Sequence, residues 1–389
     1  MKMENLYDAF RKVVDRDILN NVISVSSNEE ADKEAEKKIR DVFGEAGKSA
    51  CFSSFDESCL TRTFHSISVY FIGLYLFRNG FLTKANYFNV KKIEGFNFKT
   101  GLSNDFEKEL KEQETEKEKA NSAIYIWALT SLYHDVMSNR ELNKLTKLVN
   151  TVDNYYLTPV SFFNYSDLFG ENPLSHTIFS DDDDVKALTK DITIFDESNK
   201  RVTPFEPTYS DGQIEGYFRK RLHDGCFDHG IASGYVFYDR LVRNYIEKER
   251  KYPSKNLDGS FSDEGNTYRP EHLVLFKYIA DAIIAHNIWR YNEDTRPEYV
   301  RFGIDGKNMQ VRHNRFTLQE TSLLYFLCLI DTIEPTKFFR SKDISDKAIL
   351  EGIDLEINKN TLTLEVKADV LKAKKGDWFK KNPIDGRLA

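Results

Sequence analysis

Apolar residues recur at helical spacing along most of the chain. The segment Cys59–Phe77, "CLTRTFHSISVYFIGLYLF", sets His65, Val69, Ile72 and Leu76 on one stripe and predicts a helix. A charged stretch, Asp105–Lys119, reads as a solvated helix or loop and leads into a second apolar helix, "ANSAIYIWALTSLYHDVMS". Helical spacing returns after Gly230 in "IASGYVFYDRLVRNYIEKER". A polar loop, Tyr252–Pro270, separates this from "EHLVLFKYIADAIIAHNIW". The run "SLLYFLCLIDTIEPTKFF", Ser322–Phe339, is a further helix with a capping-box start at Thr317 and Glu320, and it stops before Pro335. The N-terminal twenty residues have the pattern of an amphipathic helix. Near the C-terminus "IDLEINKNTLTLEV" alternates apolar and polar residues around Lys359-Asn360, which predicts a β-hairpin. Residues of about 139–215 are less regular and read as an insertion with short helices. The pattern is mainly α, and no internal repeat is found.

Composition narrows the class. The 389 residues are 40% hydrophobic, with 29 Phe and 20 Tyr, enough for one large or two modest cores. A net charge of −7 leaves no global electrostatic footprint for nucleic acid. The four cysteines, Cys51, Cys59, Cys226 and Cys328, lack CxxC spacing and read as free thiols of a reducing compartment. No signal-peptide core and no apolar run of membrane-spanning length is seen, so a cytoplasmic protein without membrane partners is expected. Nothing in the pattern fixes an oligomeric state.

Candidate chemistry lies in lone polar residues on the apolar helices. Asp331 interrupts "SLLYFLCLIDTI", and an ionised carboxylate there needs a positive partner. His65, the pair His134-Asp135, and His286 interrupt three other apolar helices, and His229 opens one. A lone histidine on an apolar helix is more often a satisfied core residue than a ligand. Five such positions together offer an oxygen-and-nitrogen set for one or two divalent metals, among Mn, Fe, Ni, Zn and Mg. A second His-Asp pair, His223-Asp224, sits in a polar, basic loop and is the alternative assignment. Asp228 and Asp281 lie beside His229 and His286 and can orient an imidazole or accept a proton, although Asp281 equally suits an exposed helix position. Glu334, three residues after Asp331, can line a pocket or cap a neighbour. Lys337, with Arg219, Lys220 and Arg221 of "FRKRLHDG", can grip a phosphate; a solvated basic turn that balances the acidic insertion is an equal reading of the basic cluster. The run Asp181–Asp184 lacks EF-hand spacing, and no P-loop, GxSxG or GxGxxG is present.

The order His65, His134-Asp135, His229, His286, Asp331 resembles the HD-domain metal-dependent phosphohydrolases, over roughly residues 55–340. "LIDTIEP" is also similar to the closing helix of bacterial HD hydrolases that cleave dinucleoside polyphosphates, which carry a basic residue where Lys337 stands. The resemblance implies an HD-type helical bundle over 55–340, with a long insertion at about 139–215. It would be flanked by an N-terminal helical extension, 1–54, and a small α+β appendage with the hairpin, 341–389. It further implies that Asp135 bridges two ions, with His65, His134 and Asp331 on one and His229 and His286 on the other. Such ions lower the pKa of a shared water and neutralise phosphate oxygens in an in-line displacement. Only one ion is implied if His65, His134, Asp135 and Asp331 bind alone.

The chain departs from the family where "HDVMSNR" replaces His-Asp-Ile-Gly-Lys, and the HD-GYP signature is absent. The activity implied is hydrolysis of a nucleotide or other phosphorylated small molecule, with Asp135, His134, Asp228 and Lys337 at the reaction. The alternatives are an HD-type nuclease on single-stranded nucleic acid, which the acidic net charge disfavours, and a non-catalytic nucleotide-sensing or partner-binding module.

Overall fold

The computed structural model describes residues 3–27, 57–80, 102–112, 114–135, 194–195, 201–202, 271–287, 322–339, 344–358 and 361–373, with separate positions between 228 and 241. The described residues are mainly helical, with a small antiparallel sheet. In chain order the elements are β1 (Glu4–Asn5), α1 (Leu6–Val13), α2 (Arg16–Ser27), α3 (Glu57–Arg78), α4 (Asn104–Glu112) and α5 (Glu114–Tyr133). There follow β2 (Ile194–Phe195), β3 (Arg201–Val202), α6 (Glu271–Ala285), α7 (Ser322–Ile333) and α8 (Thr336–Phe339). The last described elements are α9 (Asp346–Glu351), β4 (Ile353–Asn358), β5 (Thr361–Val366) and α10 (Ala368–Ala373). Two compact units result. One holds Met1–Thr83, Lys99–Gln113 and Cys328–Ala389; the other holds Lys84–Phe98 and Glu114–Leu327.

The first unit is built around α3. Every residue from Phe64 to Phe77 is buried, so the stripe expected through His65 and Val69 widens to the whole circumference, as it must for a helix enclosed on all sides. Gly80, at φ 71°, ends the helix: its N–H donates to the Phe77 carbonyl at 3.0 Å, a left-handed stop that suits glycine. The N-terminus is not one amphipathic helix. Asn5 caps α1 by accepting the Asp8 N–H at 2.8 Å, and Asp15 begins α2 by accepting the Asp17 N–H at 2.8 Å. The two caps split the segment into a short strand and two helices. Leu6, Phe10 and Val13 of α1 are buried, and the Phe10 ring meets Phe71 of α3 edge-on at 5.3 Å.

The expected hairpin is present in the same unit. Strands β4 and β5 pair antiparallel from Ile353↔Val366 to Asn358↔Thr361, which leaves Lys359 and Asn360 as the connection. Strand β1 adds to its other edge, Glu4 opposite Leu355, giving the order β1-β4-β5. Glu4 also accepts from Lys12 Nζ at 2.6 Å and from the Tyr75 hydroxyl at 2.9 Å. Two ends of the chain thus share one sheet.

In the second unit α5 and α6 pack together, with helical residues after Asp228 beside them. Phe237 lies edge-on to Tyr133 of α5 at 4.9 Å and to Phe276 of α6 at 6.2 Å, and Trp127 meets Phe326 at 4.7 Å. Buried Thr130 and Ser131 donate back to the carbonyls of Ile126 and Trp127, so α5 carries its hydroxyls at no cost in unmade bonds. Gly230 and Gly234, four residues apart, bring their helix close to the end of α6: a Cβ on Gly234 would stand 2.5 Å from Ile284 Cγ1. Within the expected insertion, β2 and β3 pair antiparallel; the rest of 139–215 lies outside the described residues. Among the described residues no helix is long and apolar enough to cross a membrane.

Candidate metal-ligand clusters

In the second unit Asp135, His229 and His286 each offer a ligand atom, all within 4.8 Å of one another. Two helix ends and one helix start supply them. His134 is the first residue beyond α5, and its Nδ1–H donates to the Ser131 carbonyl at 2.7 Å. His286 stands in the same place beyond α6, its Nδ1–H donating to the Ile283 carbonyl at 2.6 Å. A carbonyl only accepts, so both rings carry a proton on Nδ1, and Nε2 is the nitrogen through which either would ligate a metal. Each bond falls on a carbonyl of the last helical turn, where the helix dipole favours positive charge.

Asp135 is buried, and its Oδ1 lies 2.8 Å from His229 Nε2. The ring of His286 is 5.5 Å from that of His134 and 5.4 Å from that of His229. One carboxylate among three imidazoles, without sulfur, is the donor chemistry that suits Mn, Fe, Ni or Zn, and the donor set fits a divalent metal. Gly230 makes room for it: a Cβ there would stand 2.7 Å from Cε1 and 2.9 Å from Nδ1 of His286. Asp228, expected beside an imidazole, has Oδ1 on the Ile231 N–H at 3.0 Å, an N-cap that fixes the turn carrying His229.

In the first unit His65 lies between two carboxylates. Its Nε2 is 3.0 Å from Asp331 Oδ1 and its Nδ1 is 2.7 Å from Glu334 Oε2. This imidazole is the partner that the lone aspartate of α7 calls for. Glu334 is fully buried, and its Oε1 accepts from the Thr336 N–H at 2.9 Å and the Thr336 hydroxyl at 2.6 Å. Burial pushes the Glu334 carboxyl up, but the bonds from His65 and Thr336 outweigh it and hold the group below its usual range. Two carboxylates, those of Asp331 and Glu334, thus face the two nitrogens of one imidazole.

Five of the expected ligand residues are thus grouped with a neighbour of ligand type inside their own unit, and His134 stands beside His286. Lys337 falls in α8 and Asp281 in α6, but their side chains lie outside the described residues, as do Arg219, Arg221, His223 and Asp224. Two residues are given no role at the site by the sequence pattern. Asn287 places Nδ2 3.1 Å from His229 Nε2, and Gly230 packs on His286; the glycine pair in "GIASG" was the available signal for the second. Comparison of the chain with protein-family models, with curated proteins and with solved structures finds no match.

Proposed function

We propose that the protein is a metal-dependent phosphohydrolase or phosphodiesterase acting on a nucleotide-type substrate. The observation that supports it best is the buried Asp135 carboxylate among His229, His286 and His134, two of whose rings are anchored at Nδ1. The order of ligand-type residues in the HD phosphohydrolases, which this chain resembles, supports the rest. Under this reading His65, His134, Asp135, His229, His286 and Asp331 are the residues that would hold the divalent metal, one ion or two. A divalent metal held by these residues would supply an acidified water and screen the charge on phosphate oxygens.

The chain's own residues do the remaining work. The carbonyls of Ser131 and Ile283 keep the Nδ1 protons on His134 and His286, so neither ring turns its N–H toward the ligand side. The Asp228 cap seats His229, and Asp228 is the residue assigned as proton acceptor. Lys337, Arg219 and Arg221 are the residues assigned to the anionic substrate.

The test is elemental analysis of the purified protein beside the Asp135→Asn variant, followed by a manganese-supplemented screen of nucleoside phosphates, cyclic nucleotides and dinucleoside polyphosphates. One to two equivalents of metal and a turnover that the variant lacks is the expected result. Metal without turnover of any phosphate ester would leave a binding module; no metal at all would end the reading.

A further inference from the structure

We infer that Glu334 is a positioning residue, whose carboxylate fixes the His65 imidazole so that Nε2 is presented with Asp331 Oδ1 to a divalent cation. The inference rests on the metal-binding reading above and deepens it. Glu334 and Asp331 engage opposite nitrogens of one ring, Glu334 Oε2 at 2.7 Å from Nδ1 and Asp331 Oδ1 at 3.0 Å from Nε2. Both ring nitrogens face a carboxylate; the shorter contact, to the fully buried Glu334, is the one that keeps a proton at Nδ1 when Nε2 ligates a cation. With the proton at Nδ1, Asp331 Oδ1 and His65 Nε2 are two neighbouring electron-pair donors that a divalent cation would share.

Glu334 is itself unsuited to be the ligand. Its Oε2 is turned to His65, and its Oε1 is clamped twice by Thr336, through the N–H at 2.9 Å and the hydroxyl at 2.6 Å. The backbone explains the clamp. The Glu334 N–H makes a last bond of α7 to the Ile330 carbonyl at 2.9 Å, Pro335 ends the helix, and the chain turns so that Thr336 faces back to the carboxylate. The short sequence Glu-Pro-Thr therefore builds a rigid carboxylate behind the first histidine of the set. His65 is 2% exposed and Glu334 0%, so the bond between them is shielded from bulk solvent.

The experiment uses the full chain labelled with ¹⁵N-histidine, with zinc affinity read by chelator competition. Glu334→Gln should keep its helical circular dichroism, shift the His65 ring nitrogen signals, and bind zinc at that set roughly 10–100-fold more weakly, the usual loss for an outer partner of a ligating histidine. Glu334→Asp restores the charge at shorter reach and should recover part of the loss. Thr336→Val leaves the carboxylate on His65 and should lose less than Glu334→Gln. A folded Glu334→Gln protein with unchanged ring signals and unchanged zinc affinity would overturn the inference. Should that variant fail to fold, Glu334→Asp decides, and wild-type affinity in it would overturn the inference as well. If the wild-type protein bound no zinc, the metal reading would fall separately, and the ring signals alone would still show whether Glu334 orients His65.

Discussion

His229 Nε2 lies 2.8 Å from Asp135 Oδ1, although the two residues come from distant parts of the chain. Asp135 follows the C-terminal end of α5, whereas His229 follows the Asp228 cap at the start of another helix. Neither helix has a reason of packing to put a carboxylate there. Buried this deeply, Asp135 needs positive charge beside it, either an imidazolium or a metal shared with the imidazole. Both options make the carboxylate the centre of the cluster.

Asp135→Asn keeps the shape of the side chain and removes the charge. It should lower metal occupancy and reduce any metal-dependent phosphohydrolase turnover by at least the roughly 10–100-fold that an outer-shell change costs. Helical circular dichroism should be retained. Metal analysis and turnover on one preparation check both parts, and full occupancy in the variant would remove Asp135 from the ligand set.

Gly230 and Gly234 allow the packing effect to be separated from the chemical one. A methyl group on Gly230 would meet the His286 ring at 2.7 Å, whereas on Gly234 it would meet Ile284 and the Ala280 carbonyl, at 2.5 and 2.9 Å. Each alanine variant should lose about 1–3 kcal/mol of stability by overpacking. Only Gly230→Ala should also weaken metal binding, because it alone displaces a ligand ring. Denaturant midpoints and a metal titration on the two variants test this; equal metal affinity in both would show that His286 does not ligate.

Much of this was legible in the chain, for reasons that can be named. The apolar patterns of α3, α5, α6 and α7 report burial directly, and the alternation around Lys359-Asn360 reports a hairpin face. Lone His and Asp residues in those patterns stand out because polar groups are costly there, so His65, His134, Asp135, His286 and Asp331 could be picked without a structure. Pairing partners could not. That Glu4 lies opposite Leu355, or that Glu334 rather than Asp331 takes the Nδ1 of His65, depends on how remote segments meet. The end of α7 shows the limit well: Pro335 marked the stop, but only the turn beyond it reveals Thr336 as the clamp of Glu334.

Tyrosine burial makes an alkaline prediction. Burial raises the Tyr70 hydroxyl far above its ordinary value of 10.0, and burial followed by the hydrogen bond to Glu4 raises that of Tyr75. A folded-state value above the unfolded one means stability that is complete below pH 10 and lost as pH rises beyond it, since only the unfolded chain then sheds the proton. Wild-type denaturant midpoints should therefore fall from about pH 10 upward, and fall less in Tyr70→Phe. Phenolate absorbance should show the ionisation arriving together with unfolding. A midpoint equally steep in pH for both proteins would count against Tyr70 as a cause.

The shared sheet predicts that a change near the N-terminus is felt near the C-terminus. Phe10 is fully buried against Phe71, and α1 leads directly from β1, whose Glu4 and Asn5 pair with Leu355 and Asp354. Phe10→Ala should cost about 3–5 kcal/mol, the usual loss for a buried phenylalanine. Because α1 carries β1, the same change should speed amide exchange along the edge of β4 that faces β1, while exchange along the β4–β5 edge changes less. Hydrogen exchange resolved by residue reads this pattern. Uniform acceleration across both edges would mean that the hairpin and the N-terminal segment open as one unit, and no change at β4 would mean that the strand pairing contributes nothing to holding the two chain ends together.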